Sequence, residues 1–319
     1  MSSAPIEVPE AVRRKALAVG SRGEQWLTDL PTAIAELERE WRVSVGVPIV
    51  GGSSGYVAEA VAADGTEAVL KLGIPDGLDG QGDFARELAT LLLANGRGYV
   101  RVLNADEYRR AMLQERLGRS LDELDLPVET QIEIVATTLG QSWRRPAHLP
   151  PTRTGREQAR YVAQAIVARW ERLGQPCPRA TVEQAIDYAH ARSKAFDAAT
   201  AVLIHGDAHP ANVLEAVRGG GAHGEFKLID PDGMLSEPAH DLAIPLRDWS
   251  DELLARDAAE VGLEWCAQLS RISGVDSRAI WQWAFLERVS TGLYMKFLRD
   301  PDGDKLLAVA ATWTGREPD

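Results

Sequence analysis

The spacing of apolar positions changes along the chain. The first forty residues read as helical: Pro9 starts a helix at Glu10, and Leu30-Pro31 start another that runs through Glu40. From Val45 the apolar runs become short and β-branched, as VGVPIV, YVAEAVAA and EAVLKLGI. Gly51 to Gly55 separate the first two runs, and Asp64-Gly65 separate the next two, a strong hairpin signal. Residues 45–74 are therefore predicted to form three antiparallel strands. The stretch DFARELATLLLAN predicts a helix that Gly96 closes, and YVRVLNAD and RAMLQERL add two strands. Beyond Gly118 helical spacing dominates, in ETQIEIVATTLGQSW and GREQARYVAQAIVARWERLG, with residues 146–151 as a linker. A short strand pair is expected within 201–230, and 251–298 reads as helical and tryptophan-rich.

The pattern is that of an α+β protein with two lobes: a small five-stranded antiparallel sheet over residues 1–116, carrying a helical N-terminal extension, and a larger, mainly helical lobe over 117–319. Composition agrees with a packed globular chain, at 45% apolar and 26% charged residues. There are 35 Lys+Arg against 47 Asp+Glu, a formal charge of −12, which argues against a nucleic-acid surface and suits equally solubility alone or a cationic ligand. Cys177 and Cys266 stand in unrelated contexts and form neither a disulfide framework nor a zinc pattern. The N-terminal stretch lacks the apolar core of a signal peptide, and no run has the length of a membrane span, so a cytoplasmic protein is expected; with no coiled-coil or sticky-edge signature, a monomer is expected too.

Chemistry concentrates in LIHGDAHPANVLEAVRGGGAHGEFKLID, residues 203–230. An apolar strand delivers His205-Gly206-Asp207, Asn212 follows five residues after Asp207, and Asp230 ends the next hairpin. Phosphoryl transfer needs a carboxylate to meet the attacking hydroxyl and oxygen ligands to hold Mg²⁺. Asp207 fits the first role, and Asn212 and Asp230 fit the second. The segment H-x-D-x-H also permits a metal-dependent hydrolase built on His205, Asp207 and His209, provided further ligands come from elsewhere.

Through HGDAHPANVL and LIDPDGMLSEPAHDLA, with support from ADGTEAVLKLGIP and GRGYVRVLNAD, the chain resembles the aminoglycoside phosphotransferase family of the protein-kinase-like fold. Within it the likeness is greatest to the streptomycin 6-kinase and hydroxyurea phosphotransferase branch. The resemblance implies ATP and Mg²⁺ as cofactors, with Asp207 as catalytic base and Asn212 and Asp230 as metal ligands. It implies Lys71 at the α/β-phosphates with Glu87 as its ion-pair partner. It makes 51–55 the loop over the phosphates, with Ser53, Ser54 and Gly55 as its binding residues. It makes Gln114 and Arg116 the hinge residues that meet adenine. Departures are visible. GGSSGYV lacks the spaced G-x-G-x-x-G of protein kinases, Gly206 stands where they carry arginine, and no activation segment or Ala-Pro-Glu follows Asp230. A small hydroxyl acceptor is thus expected rather than a protein: streptomycin or a related aminocyclitol first, then hydroxyurea or an amino sugar. Asp248, Asp251 and Glu252 are candidates to receive a cationic acceptor, whereas Asp241 reads as a helix cap. Trp281 and Trp283, two apart, cannot share a helix face, which leaves one of them expected at the surface.

Overall fold

The fold is that of a computed structural model, which describes residues 6–51, 55–75, 83–145, 152–217 and 225–318. Two compact units divide the chain, Met1–Gly118 and Arg119–Asp319.

In the first unit, α1 (Glu10–Ala18) does start behind Pro9. The second helix is longer than the sequence suggests: α2 spans Ser21–Trp41, with Pro31 in its interior rather than at its start. A proline there removes one N–H and meets the carbonyl four residues back, but the apolar face of α2 outweighs that loss. Leu30, Ile34 and Leu37 sit in one buried cluster with sheet residues, at roughly 1.5–3 kcal/mol for each large side chain removed from water. The strands are β1 (Val43–Pro48), β2 (Gly55–Ala62), β3 (Glu67–Gly73), β4 (Val102–Asp106) and β5 (Ala111–Glu115). They pair antiparallel in the order β1-β2-β3-β5-β4. Asp64-Gly65 makes the turn between β2 and β3, with Gly65 at φ 84° and the Asp64 carboxylate accepting from the Thr66 amide at 3.0 Å.

Period-2 alternation divides the sheet's two faces. Tyr56, Ala58 and Ala60, Ala68, Leu70 and Leu72, and Ala111 and Leu113 share the cluster with α2. The intervening position Lys71, opposite Met112 in the register, turns to the other face, where α3 (Asp83–Ala94) begins. A Cβ on Gly73 would lie 3.0 Å from the Phe84 ring, so α3 sits tight against the end of β3.

The second unit is helical around α10 (Ser277–Phe297), which packs against α5 (Gly155–Arg172), α6 (Arg179–Ala195), α7 (Pro238–Ala243), α9 (Ala258–Ser273) and α11 (Asp302–Trp313). Trp281 and Trp283 are both 0% exposed, contrary to the expectation that one would face solvent. The stretch 279–289 of α10 is buried on every side and has no solvent face to offer. Trp281 stacks on Trp313 at 4.4 Å between ring centroids, and Trp283 stacks on His240 at 3.8 Å. The expected single strand pair is two separate ones. β6 (Val202–Ile204) pairs with β9 (Met234–Ser236), and β7 (Val213–Glu215) pairs with β8 (Phe226–Leu228). The linker expected at 146–151 lies outside the described residues. Among the described residues no helix is long and apolar enough to cross a membrane.

Candidate active site

Candidate residues fall on both units. In the first, Lys71 Nζ lies 2.6 Å from Glu87 Oε1, with Lys71 2% and Glu87 8% exposed. Strand alternation aims Lys71 away from the apolar cluster, and α3 presents Glu87 to it. Gly55 opens β2, where a Cβ would meet the Leu72 carbonyl oxygen at 2.4 Å, so the loop's exit admits no side chain. Ser53 and Ser54 lie outside the described residues. Gln114 is a buried ladder residue of β5, paired with Val69 and Val102, and Arg116 follows the strand's end, 3.2 Å from Glu59.

In the second unit, β6 delivers a loop whose backbone is tied at many points. Asp241, in the first turn of α7, accepts from the His205 amide at 2.9 Å, the Gly206 amide at 2.8 Å and the Trp143 indole at 2.9 Å. Buried carboxylates hold such places by accepting charge-assisted hydrogen bonds. Gly206 has φ 88°, a left-handed conformation that favours glycine, and a Cβ there would come within 3.0 Å of the Asp232 side chain. This accounts for glycine where protein kinases carry arginine.

His205 is fully buried and its ring is committed to backbone on both sides. Nε2 donates to the Ile229 carbonyl at 2.7 Å, and Nδ1 accepts from the Asp207 amide at 3.0 Å. The contacts fix the neutral tautomer with its proton on Nε2 and leave no lone pair for a metal. The hydrolase reading of H-x-D-x-H fails on this point. Among the described residues, moreover, no cluster of three or more His, Cys, Asp or Glu side chains is arranged to hold a metal.

Asp207 keeps 39% of its side chain open to water, and each carboxylate oxygen has a nitrogen-bearing side chain beside it. Arg247 Nη2 lies 2.6 Å from Oδ1, and His209 Nε2 lies 3.6 Å from Oδ2. Burial pushes the Asp207 carboxyl up, but the Arg247 guanidinium, with His209 next, more than offsets it and holds the group below the usual carboxylate range. No sequence signal points to Arg247, which stands forty residues downstream in a 3₁₀ turn after α7, in no motif.

Asn212 and Asp230 are brought together by the β7–β8 ladder, where Val213 faces Leu228 and the Ile229 amide donates to the Asn212 carbonyl at 3.0 Å. The Asn212 amide nitrogen donates to the Asp207 carbonyl at 2.9 Å, so of its two amide atoms the oxygen is the one that could face a cation. Asp230 adopts φ 57°, a conformation that only a tightly held non-glycine residue keeps. An amide oxygen beside a carboxylate is an all-oxygen donor set that fits a hard cation such as Mg²⁺.

The outlying acidic residues separate. Asp251 is paired with Lys305 at 2.7 Å, and Glu252 is exposed on the short helix α8 (Ser250–Leu254). Glu237 accepts from the Trp283 indole at 2.8 Å and pairs with Arg192 at 3.2 Å. Asp248 differs from these. Its Oδ2 is buried without a hydrogen-bond partner among the described residues, and burial pushes its carboxyl up against the pull of Arg247, His209 and Arg288.

Comparison with known proteins places this geometry. The profile described as "Aminoglycoside/hydroxyurea antibiotic resistance kinase" matches residues 40–297. A streptomycin 6-kinase of Streptomyces glaucescens is 26% identical over 294 residues, covering 91% of each chain. A hydroxyurea phosphotransferase of Kitasatospora aureofaciens is 30% identical over 245 residues, 75% of this chain and 67% of that one. Among solved structures, choline kinase LicA from Streptococcus pneumoniae superposes with a TM-score of 0.57 at 15% identity, covering 89% of this chain and 98% of its own, a likeness of fold.

Proposed function

We infer that the chain, which belongs to the aminoglycoside/hydroxyurea antibiotic resistance kinase family, transfers the γ-phosphoryl group of ATP to a hydroxyl of streptomycin or a related aminocyclitol. Membership makes it a small-molecule kinase, a phosphotransferase whose acceptor is an alcohol group. The finer assignment is supported by the streptomycin 6-kinase that aligns with nearly the whole chain, and by a net charge of −12, which favours a polycationic acceptor.

One observation carries the assignment of roles: Asp207 sits on a loop pinned by Asp241, with Asn212 bonded to its carbonyl and Asp230 next in chain to Ile229, whose amide donates to the Asn212 carbonyl. In the proposed reaction the acceptor oxygen attacks the γ-phosphorus. The bond from that phosphorus to the bridging oxygen of ADP breaks, and the hydroxyl proton passes to Asp207. An ion-paired carboxylate is a weak base. A loose phosphoryl-transfer transition state tolerates that, because the hydroxyl must be aligned before it must be deprotonated. Asn212 and Asp230 would hold Mg²⁺, which neutralises charge on the phosphate oxygens when bound. Lys71, kept extended by Glu87, would bind the α/β-phosphates. Ser53, Ser54 and Gly55 would cover the phosphates, and Gln114 and Arg116 would meet adenine.

The test is ADP release from Mg²⁺-ATP across aminocyclitols, aminoglycosides, amino sugars and hydroxyurea, with Asp207→Asn as control. Release with streptomycin that vanishes in Asp207→Asn is the expected result. Release with hydroxyurea alone would move the acceptor to the second relative's substrate, and an unimpaired Asp207→Asn would remove the catalytic role from Asp207.

A further inference from the structure

Behind Asp207 runs a line of alternating charge that the proposed reaction does not by itself require. Arg247 gives one nitrogen to Asp207 Oδ1 at 2.6 Å, while its other terminal nitrogen lies 3.9 Å from Glu287 Oε2. Glu287, on the central helix α10, is buried, and its other oxygen lies 3.2 Å from His240 Nε2. His240 is clamped flat against Trp283, with the planes 10° apart. The guanidinium is thus a rigid fork set between two carboxylates, and the rearward one is fixed in the densest part of the second unit. Asp248, His209 and Arg288 complete the ionisable surroundings, and Asp241 and His205 set the backbone beneath Asp207.

Resting on the assignment of Asp207 as base, we propose that Arg247 is a positioning residue for phosphoryl transfer: it occupies Oδ1 of Asp207, leaves Oδ2 as the oxygen that meets the acceptor hydroxyl, and is itself held by Glu287. Asp207 is partly open to water, so without a partner its carboxylate would be free to rotate and exchange its two oxygens. The fork from Arg247 removes that freedom. A lysine, with one compact charge, cannot span both carboxylates in the same way. Arg247 acts through Asp207 and is not itself required to touch the acceptor.

The experiment is steady-state kinetics of Arg247→Ala, Arg247→Lys and Glu287→Gln, each checked for folding by circular dichroism, beside native protein and Asp207→Asn. Arg247→Ala should lower kcat by about 10- to 100-fold, with KM for ATP and acceptor held within about twofold, as expected when a reacting group is misplaced rather than lost. Added methylguanidine should restore part of that kcat, and Arg247→Lys and Glu287→Gln should fall between Arg247→Ala and native. Three results would overturn the proposal: native kcat in Arg247→Ala; a loss confined to the acceptor KM, which would make Arg247 a substrate contact; or equal losses in Arg247→Ala and Arg247→Lys that methylguanidine leaves untouched, which would mark a packing role. If Arg247→Ala does not fold, Arg247→Lys decides, and native kcat there would overturn the proposal. Failure of the underlying assignment is separately visible, as retained activity in Asp207→Asn.

Discussion

Lys71 Nζ and Glu87 Oε1 meet at 2.6 Å from opposite sides of a helix–sheet junction, both almost wholly out of water. A buried pair of this kind is expensive to break from one side, because the remaining charge loses both its partner and its hydration. Glu87→Gln should therefore lower unfolding free energy by about 2–4 kcal/mol and reduce kcat/KM for ATP at least about tenfold. The double substitution Lys71→Met/Glu87→Gln should destabilise by less than the sum of the single changes. Urea unfolding of the three variants, with ATP kinetics, checks both parts.

Gly206→Ala should leave the fold in place and injure catalysis. The new methyl enters at φ 88° and presses within 3.0 Å of Asp232. The left-handed conformation alone costs about 1–2 kcal/mol, which the loop can recover by shifting Asp207. A melting curve close to native beside a kcat reduced by about tenfold or more is the expected outcome.

Arg288→Met should destabilise strongly without touching the acceptor. The fully buried guanidinium donates to the Leu246 and Asp248 carbonyls and the Ser250 hydroxyl, and it lies 5.1 Å from the centre of the Trp313 ring. Burial pulls its proton affinity down to about 9, yet the methionine would strand three acceptors. A loss of about 2–4 kcal/mol by urea unfolding is expected.

The alkaline limb of stability should bear the mark of Tyr188. Burial pushes this hydroxyl up to about 12, while Gln184 donates to its oxygen at 2.7 Å. The folded state therefore holds the phenolic proton more tightly than the unfolded chain. The resulting stability is fully present below the unfolded value near 10 and is lost as pH rises towards 12. Native protein should lose more stability than Tyr188→Phe between about pH 9 and about pH 11.5, measured by urea midpoints.

The residues that could be found from sequence are those whose relationship is short along the chain. Asp207, Asn212 and Asp230 span one loop and one hairpin, so spacing alone brings them together, and β7–β8 pairing carries that out. Lys71 was legible because alternation assigns it a face. Arg247 was hidden because only tertiary packing brings it to Asp207. Pro31 misled because α2 is already under way at Ser21, and its packed face absorbs one missing N–H. Trp281 and Trp283 misled for a related reason: face-counting presumes a solvent side, and the stretch of α10 that carries them, 279–289, has none.

Asp241 holds the His205-Gly206 backbone from behind, through α7 and the Trp143 indole. The Asp207 carboxylate thus inherits its pose from residues that no acceptor need touch. For anyone wishing to change what the protein phosphorylates, this divides the molecule into freehold and leasehold. The exposed side chains of α8 and α9, such as Glu252 and Glu264, can be randomised while the loop keeps its shape. Libraries that reach Trp143, His240 or Asp241 would return mostly inactive protein, whatever acceptor is offered.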